Sequence, residues 1–301
     1  MNVLSLFDGM SCGQIALERA GVNVENYFAS EIDKYAIKVC KANYPNTKHI
    51  GSVVDVTASS LPSIDLLIGG SPCQGFSFAG KQLNFEDPRS KLFFEYVRLL
   101  NEIREINPNL LFLLENVSMK KEYQDVITQH LGVEPIIINS NLVSAQNRKR
   151  IYWTNIPNVT RPNDKNIFLN TILHEFIDDR SSEIFKTLSE YIVPFDKTLQ
   201  ILDKQVKNGK AGYFRKDSQA NRVYYINDKA ITLCGDSGGG AAKMGQYLFG
   251  DYIRKLTPIE CERLQTVPDN YTNHVSNSQR YKMLGNGWTV SVISHIFKGL
   301  L

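Results

Sequence analysis

The chain has 301 residues, 43% hydrophobic and 22% charged, so it is neither disordered nor fibrous and is long enough for one large domain or two modest ones. Its 34 basic and 31 acidic side chains leave a net charge of +3, which is compatible with an acidic partner without requiring one. No apolar run approaches the roughly 20 residues of a membrane span. Met1 to Phe7 carry no positive n-region, so no signal peptide is expected.

The first half alternates strand-like and helix-like segments. Val3 to Phe7 reads as a buried strand, Gln14 to Ala20 as a helix closed by Gly21, Tyr27 to Ala29 as a second strand and Tyr35 to Asn43 as a second helix. Val53 to Val56 is expected as a third strand and Ile64 to Ile68 as a fourth. Ser90 to Ile106 places Leu92, Phe93, Tyr96, Val97, Leu100 and Ile103 on one helical stripe. Leu110 to Leu114 and Pro135 to Ile138 follow as strands, and a seventh carries Gln146 to Arg150. Such alternation predicts an α/β fold, a mostly parallel sheet with helices on both faces.

After Trp153 the periodicity weakens. Residues 161–203 carry 5 basic and 8 acidic side chains, and residues 204–254 carry 9 and 4, a net +5. Thr257-Pro258-Ile259-Glu260 combines a capping box with proline at the first helical position, which marks a helix start. Thr289 to Leu301 reads as an apolar helix packing back on the first domain. The expected division is a catalytic and cofactor-binding domain of residues 1–155 plus 277–301, with a smaller target-recognition domain of residues 156–276.

Five cysteines, Cys12, Cys40, Cys73, Cys234 and Cys261, are odd in number, widely spaced and free of any C-x-x-C. That argues against a disulfide framework and a structural zinc site, and for a reducing, cytoplasmic setting; no metal is expected.

Strands of such a sheet present their carboxyl ends to a ligand crevice. The first runs into Asp8-Gly9-Met10-Ser11-Cys12-Gly13, whose glycines admit a close backbone approach. Glu31, 18 residues past Gly13, is placed to take both hydroxyls of a ribose, and Asp55 to accept the amine of adenine. Together they suggest an adenosine ligand without a pyrophosphate; the plain alternative is a glycine turn and two solvated acids. The fourth strand ends in Gly69-Gly70-Ser71-Pro72-Cys73-Gln74, with a glycine-rich loop running on to about Arg89. The next strand ends in Glu115-Asn116-Val117, beside the thiol. Alternation puts Gln146, Arg148 and Arg150 on one face, although a solvated edge strand would look the same.

A thiolate, a carboxyl and arginines beside adenosine suit one reaction. Thiolate addition at C6 of cytosine makes C5 nucleophilic toward a methyl sulfonium, provided a carboxyl protonates N3 and an arginine neutralises O2. The carboxyl is therefore expected to be buried, and the base must leave the duplex.

On these residues the chain resembles the DNA cytosine-5 methyltransferases over almost its full length. The motifs are Phe7-Asp8-Gly9, Glu31, Asp55, Pro72-Cys73-Gln74, Glu115-Asn116-Val117, Gln146-x-Arg148-x-Arg150, Arg263-Leu264-Gln265 with Pro268, and Gly285-Asn286-Gly287. Leu92 to Glu95 and Leu284 to Val290 are similar to the eukaryotic de novo enzymes. The resemblance implies a Rossmann-like, seven-stranded S-adenosylmethionine-dependent methyltransferase fold, double-stranded DNA as partner and no membrane. By motif position Phe7 would stack on the adenine or face the sulfonium, and Gly9 and Met10 would line the methionine end. Glu31 would hold the ribose; Ile32, Asp55, Val56 and Leu92 would surround the adenine. Asn286 and Trp288 would close the methionine side, and Asp8, Gly13 and Pro72 complete the cofactor set. Cys73 would be the nucleophile, Glu115 the N3 partner, and Arg148 and Arg150 the O2 and loop-orienting pair. Gly287 departs from a serine common in the last motif.

DNA contacts are expected from Gln74, Ser77 and Arg89 of the loop after Cys73. Within 204–254 they are expected from Gln219, Asn221, Arg222 and Lys243, with Gly238 to Gly240 allowing close approach. A tRNA methyltransferase on the same scaffold and a catalytically inactive DNA-binding regulator are the alternatives. The first usually lacks a long recognition segment, and the second should have lost Cys73, Glu115 or the arginines. The chain is expected to act as a monomer; a cognate restriction endonuclease, and host or phage origin, stay open.

Overall fold

The computed structural model describes residues 1–71, 91–173, 188–193, 199–206 (201–206 by backbone only), 209–218, 220–235 and 243–301. The expectations for Pro72, Cys73, Gln74, Ser77, Arg89, Gln219 and Gly238 to Gly240 lie outside the described residues. No described helix is long and apolar enough to cross a membrane.

The described chain divides into two compact units. The first comprises Met1–Asn139, Lys149–Pro162 and Val290–Leu301. Its sheet has strands β1 (Asn2–Leu6), β2 (Asn26–Ser30), β3 (Lys48–Gly51), β4 (Leu66–Gly69), β5 (Leu111–Val117), β6 (Ile136–Asn139) and β7 (Lys149–Thr154). The order is β3-β2-β1-β4-β5-β7-β6. The first five strands run parallel, and β7 is antiparallel to both β5 and β6. Strands β4 and β5 read as continuous apolar runs because both faces are covered. Leu4, Leu6, Phe112, Leu114 and Trp153 meet Phe93, Tyr96 and Leu100 of helix α3 (Lys91–Ile106) and Ile127 of α4 (Lys121–Leu131). Helix α1 (Cys12–Ala20) packs on α7 (Val290–Phe297), the apolar C-terminal helix. Helix α2 (Lys34–Asn43) is capped by Asp33, whose side chain accepts from the Tyr35 and Ala36 amides.

One expected strand is overturned. Val53–Asp55 forms a 3-10 turn, and the third strand is Lys48–Gly51 upstream of it. The carbonyls of Val53 and Val56, which a strand ladder would need, accept instead from Arg98 Nη2 of α3 at 3.2 and 2.9 Å.

The second unit comprises Ser140–Arg148 and Asn163–Thr289. Residues 140–148 and 277–289 thus join this unit, and 156–162 the first, which shifts the boundaries from those expected. The physical reason lies in side chains of 140–148: Gln146 Oε1 accepts from Leu233 N at 2.9 Å, and Ser144 Oγ donates to Leu264 O. Strands β8 (Ile192–Val193), β9 (Leu199–Val206), β10 (Lys210–Phe214), β11 (Arg222–Tyr225), β12 (Gln246–Phe249) and β13 (Tyr252–Lys255) form its sheet in the order β8-β13-β12-β11-β10-β9. Ala211, Phe214, Val223 and Ile253 form its core. Helix α5 (Pro258–Leu264) starts with the expected capping box of Thr257 and Glu260. The same buried Glu260 takes the Arg254 guanidinium at 2.7 and 2.8 Å, joining β13 to α5. Helix α6 (Asn277–Asn286) follows.

Candidate functional site

In the first unit β1 leads into a loop in which Phe7, Gly9 and Ser11 have φ of 56°, 59° and 67°. That region is open to glycine and costly for a bulky residue such as Phe7, so the turn is held by its surroundings. At Gly13 a Cβ would lie 2.6 Å from both Tyr27 Oη and Ile68 Cδ1, so only glycine lets α1 seat on the sheet. Glu31, directly after β2, reaches back to this loop. Its Oε2 accepts from Gly9 N at 2.8 Å, and its Oε1 from Ile32 N at 2.7 Å and Asp33 N at 2.8 Å. A carboxylate offers about four lone-pair positions. One therefore stays open on Oε2, enough for one ribose hydroxyl; accepting both, as expected from the sequence, requires an amide to yield.

Ile32 is 76% exposed, an unusual setting for an isoleucine, while Phe7 and Leu92 are half-buried against the unit's core. Among the described residues, no atom beyond its chain neighbours lies within 4 Å of a Cβ built on Gly9, so the loop surface there is open to them. Asp55 is exposed and Val56 is buried. The turn that carries them is braced by Arg98, which also binds Glu95 and Glu102 at 2.8 and 2.7 Å, while Glu102 accepts from Ala58 N at 3.0 Å. Arg98 was not singled out by the sequence analysis. Its spacing of three and four residues from Glu95 and Glu102 on one helix face was the available signal.

Asp8 points away from solvent. Tyr27 Oη donates to its Oδ1 at 2.7 Å, and Oδ2 is enclosed with no hydrogen-bond partner among the described residues. Burial pushes its carboxyl up to about 6, against the hydroxyls of Ser5, Tyr27 and Ser11, which pull it down.

At the carboxyl ends of β4 and β5 the described chain reaches Ser71, two residues before Cys73. Asn116 Nδ2 donates to Ser71 Oγ at 3.2 Å, and its own Oδ1 accepts from Val117 N at 2.8 Å. Asn116 thus ties down the exit of β4, a role the sequence analysis did not assign. Beside it Glu115 is buried, and Arg150 Nε stands 2.9 Å from its Oε1. Register brings the two together: Glu115 pairs with Tyr152 and Val117 with Arg150, so Glu115 and Arg150 are diagonal neighbours on one face.

The expectation that Gln146, Arg148 and Arg150 share a strand face is corrected. Strand β7 begins at Lys149, and residues 140–148 belong to the second unit. There Arg148 is buried and donates to the carbonyls of Leu233, Gly285 and Gly287 at 2.9 to 3.0 Å. Three acceptor carbonyls outweigh strand alternation in deciding where that guanidinium goes. Gln265 Nε2 holds Leu284 O and Gly287 O from another side. In this braced segment Asn286 is exposed and Trp288 half-buried.

Among the expected DNA readers, Arg222 begins β11 and Asn221 precedes it. Asn221 donates its side-chain amide to Lys216 O at 3.1 Å, within the hairpin turn. Arg222 donates Nε to Asp217 Oδ1 at 2.6 Å. Lys243 is half-buried, and its carbonyl accepts from Cys234 N at 2.9 Å.

The profile of the family described as C-5 cytosine-specific DNA methylase matches residues 1–301. The chain is 32% identical over 315 aligned positions to the type II methyltransferase M.HhaI of Haemophilus parahaemolyticus, covering 98% of this chain and 93% of that protein. It is also 32% identical to the type II methyltransferase M1.ScrFI of Lactococcus lactis subsp. cremoris, covering 99% of this chain and 77% of that one. Among solved structures, the methyltransferase EhMeth of Entamoeba histolytica superposes with a TM-score of 0.73 at 18% identity, covering 100% of this chain and 99% of that one, a likeness of fold alone. With its α/β sheet and its Glu115–Arg150 pair, the chain belongs to the C-5 cytosine-specific DNA methylase family and is a DNA cytosine-5 methyltransferase.

Proposed function

We propose that the protein methylates C5 of a cytosine extruded from a short, specific duplex DNA site, through a transient bond from Cys73 to C6, with S-adenosylmethionine as methyl donor. The largely buried Glu115–Arg150 pair, one strand away from the β4 exit that leads to Cys73, is the observation that carries this reading. The Cys73 thiolate adds to C6 while Glu115 holds a proton at N3 and Arg150 faces O2. The ring electrons thereby gather at C5 without a free anion. S-adenosylmethionine, when bound, supplies an electrophilic methyl group. A base, hydroxide or an ordered water, then takes the C5 proton, the C5–C6 double bond re-forms and the thiolate leaves.

The residues fit that donor. The open surface at Gly9, the free lone pair on Glu31, the exposed Ile32 and the exposed Asp55 form a set suited to a nucleoside with an amino group and no phosphates. Arg148, held by three carbonyls, acts on the second unit's 285–287 segment as a positioning residue. The protein works as a monomer on DNA.

Duplex DNA with 5-fluorocytosine at the target tests the covalent step, because fluorine cannot leave as a cation and the adduct persists. A denaturing gel should show a shifted band that requires both S-adenosylmethionine and Cys73. No band on a site verified by bisulfite sequencing refutes nucleophilic catalysis.

A further inference from the structure

In the second unit the hairpin of β10 and β11 carries the described residues of its turn, 215–218, 220 and 221, on several internal bonds. Phe214 N donates to Asn221 O at 3.0 Å, and Asn221 N and Arg222 N donate to Ser218 O at 2.9 and 3.1 Å. From the neighbouring strand β12 the buried Gln246 donates Nε2 to Ala220 O at 2.8 Å. The turn is therefore a fixed mount.

On that mount Asp217 binds two cations, one per oxygen. Its Oδ1 accepts from Arg222 Nε at 2.6 Å, and its Oδ2 from Lys210 Nζ at 2.7 Å. The lysine is largely covered, its side chain 15% exposed and its ammonium over the Tyr213 ring at 5.3 Å. Arg222 is 39% exposed, with Tyr224 at its flank. Stability does not account for the Arg222–Asp217 pair, because an ion pair with side chains 39% and 41% exposed contributes little. Within 204–254, the basic half of the recognition segment, a carboxylate beside the exposed arginine weakens phosphate binding. What it supplies is orientation. A carboxylate on Nε restricts the plane of the guanidinium, and arginine takes O6 and N7 of guanine as a bidentate pair.

We infer that Asp217 is a specificity-determining positioning residue, which aims Arg222 at the major-groove edge of one guanine in the target site. The inference rests on the reading of residues 204–254 as the segment that reads DNA.

The test uses the full-length enzyme and a duplex carrying its target, as found by bisulfite sequencing, with each guanine replaced in turn by 7-deazaguanine, which lacks the N7 acceptor. Wild-type kcat/KM should fall about 5- to 100-fold at one guanine. In Asp217→Ala that fall should shrink to within about 3-fold at the same guanine and stay unchanged at the others, with Tm and cofactor affinity preserved. Asp217→Glu should restore part of the discrimination. Arg222→Ala should lose it too, and the double variant should lose nothing further, as expected of two residues acting as one unit. Discrimination retained in Asp217→Ala but lost in Arg222→Ala overturns the inference alone. Discrimination retained in both overturns the reading of the segment as well. A uniform fall at every position in Asp217→Ala also overturns the inference.

Discussion

Glu115 and Arg150 stand 2.9 Å apart on adjacent antiparallel strands, both largely buried, with the carboxylate one strand away from the exit that leads to Cys73. In the proposed mechanism the pair would supply a proton and a positive charge at the two ring positions that cytosine activation requires. Glu115→Gln should therefore lower the single-turnover rate about 10²–10⁴-fold while DNA binding holds, since the amide can hydrogen-bond but cannot donate an acidic proton. Rapid-quench methyl transfer alongside a binding titration measures both. Arg150→Ala should also cost about 3 kcal/mol of stability, because it strands a buried carboxylate; urea midpoints give that value.

Cys73→Ala should abolish methyl transfer and leave cofactor affinity nearly intact, because in the proposed mechanism the thiolate acts only in covalent addition. Tritiated methyl incorporation with a parallel cofactor titration checks it. Appreciable turnover by this variant would refute the mechanism.

Arg98 holds the turn of the proposed adenine site through the Val53 and Val56 carbonyls. Arg98→Ala frees that turn and should raise the KM for S-adenosylmethionine about tenfold or more, with kcat at saturation within about 2-fold, as charge-assisted bonds of this kind are worth about 1.5–3 kcal/mol. A fall in kcat with unchanged KM would place Arg98 outside the cofactor site.

Asp8 titrates near 6 in the folded protein because burial disfavours its charge, against an ordinary value of 3.8. The folded state then binds the proton more tightly than the unfolded one, so this group's contribution to stability falls as pH rises from about 4 to 6. The loss approaches about 3 kcal/mol above pH 6. Asp8→Asn should remove that step: its stability relative to wild type should rise between pH 4 and 6 and level off above. Urea denaturation across pH 3.5 to 7.5 reports it, and parallel curves for the two proteins would contradict the assignment.

Much of the first unit was legible in sequence because its strands are continuous apolar runs that end in chemistry-bearing residues. Leu66 to Gly69 leads toward Cys73, and Leu111 to Leu114 leads into Glu115. The α5 start was legible for a local reason, since Thr257, Pro258 and Glu260 satisfy one another within a single turn. Val53 to Val56 misled because a β-branched run resembles a strand, while the arginine that claims its carbonyls lies some 45 residues away. Arg148 misled likewise: its spacing matched strand alternation, but its acceptors are the carbonyls of Leu233, Gly285 and Gly287. Local pattern and motif order thus determined the fold class and the family, because these depend on periodicity and residue chemistry along the chain. Tertiary structure alone decided which guanidinium faces Glu115, how many lone pairs Glu31 keeps and what Asp217 holds, because hydrogen-bond partners are chosen by proximity in space and sequence separation carries no record of it.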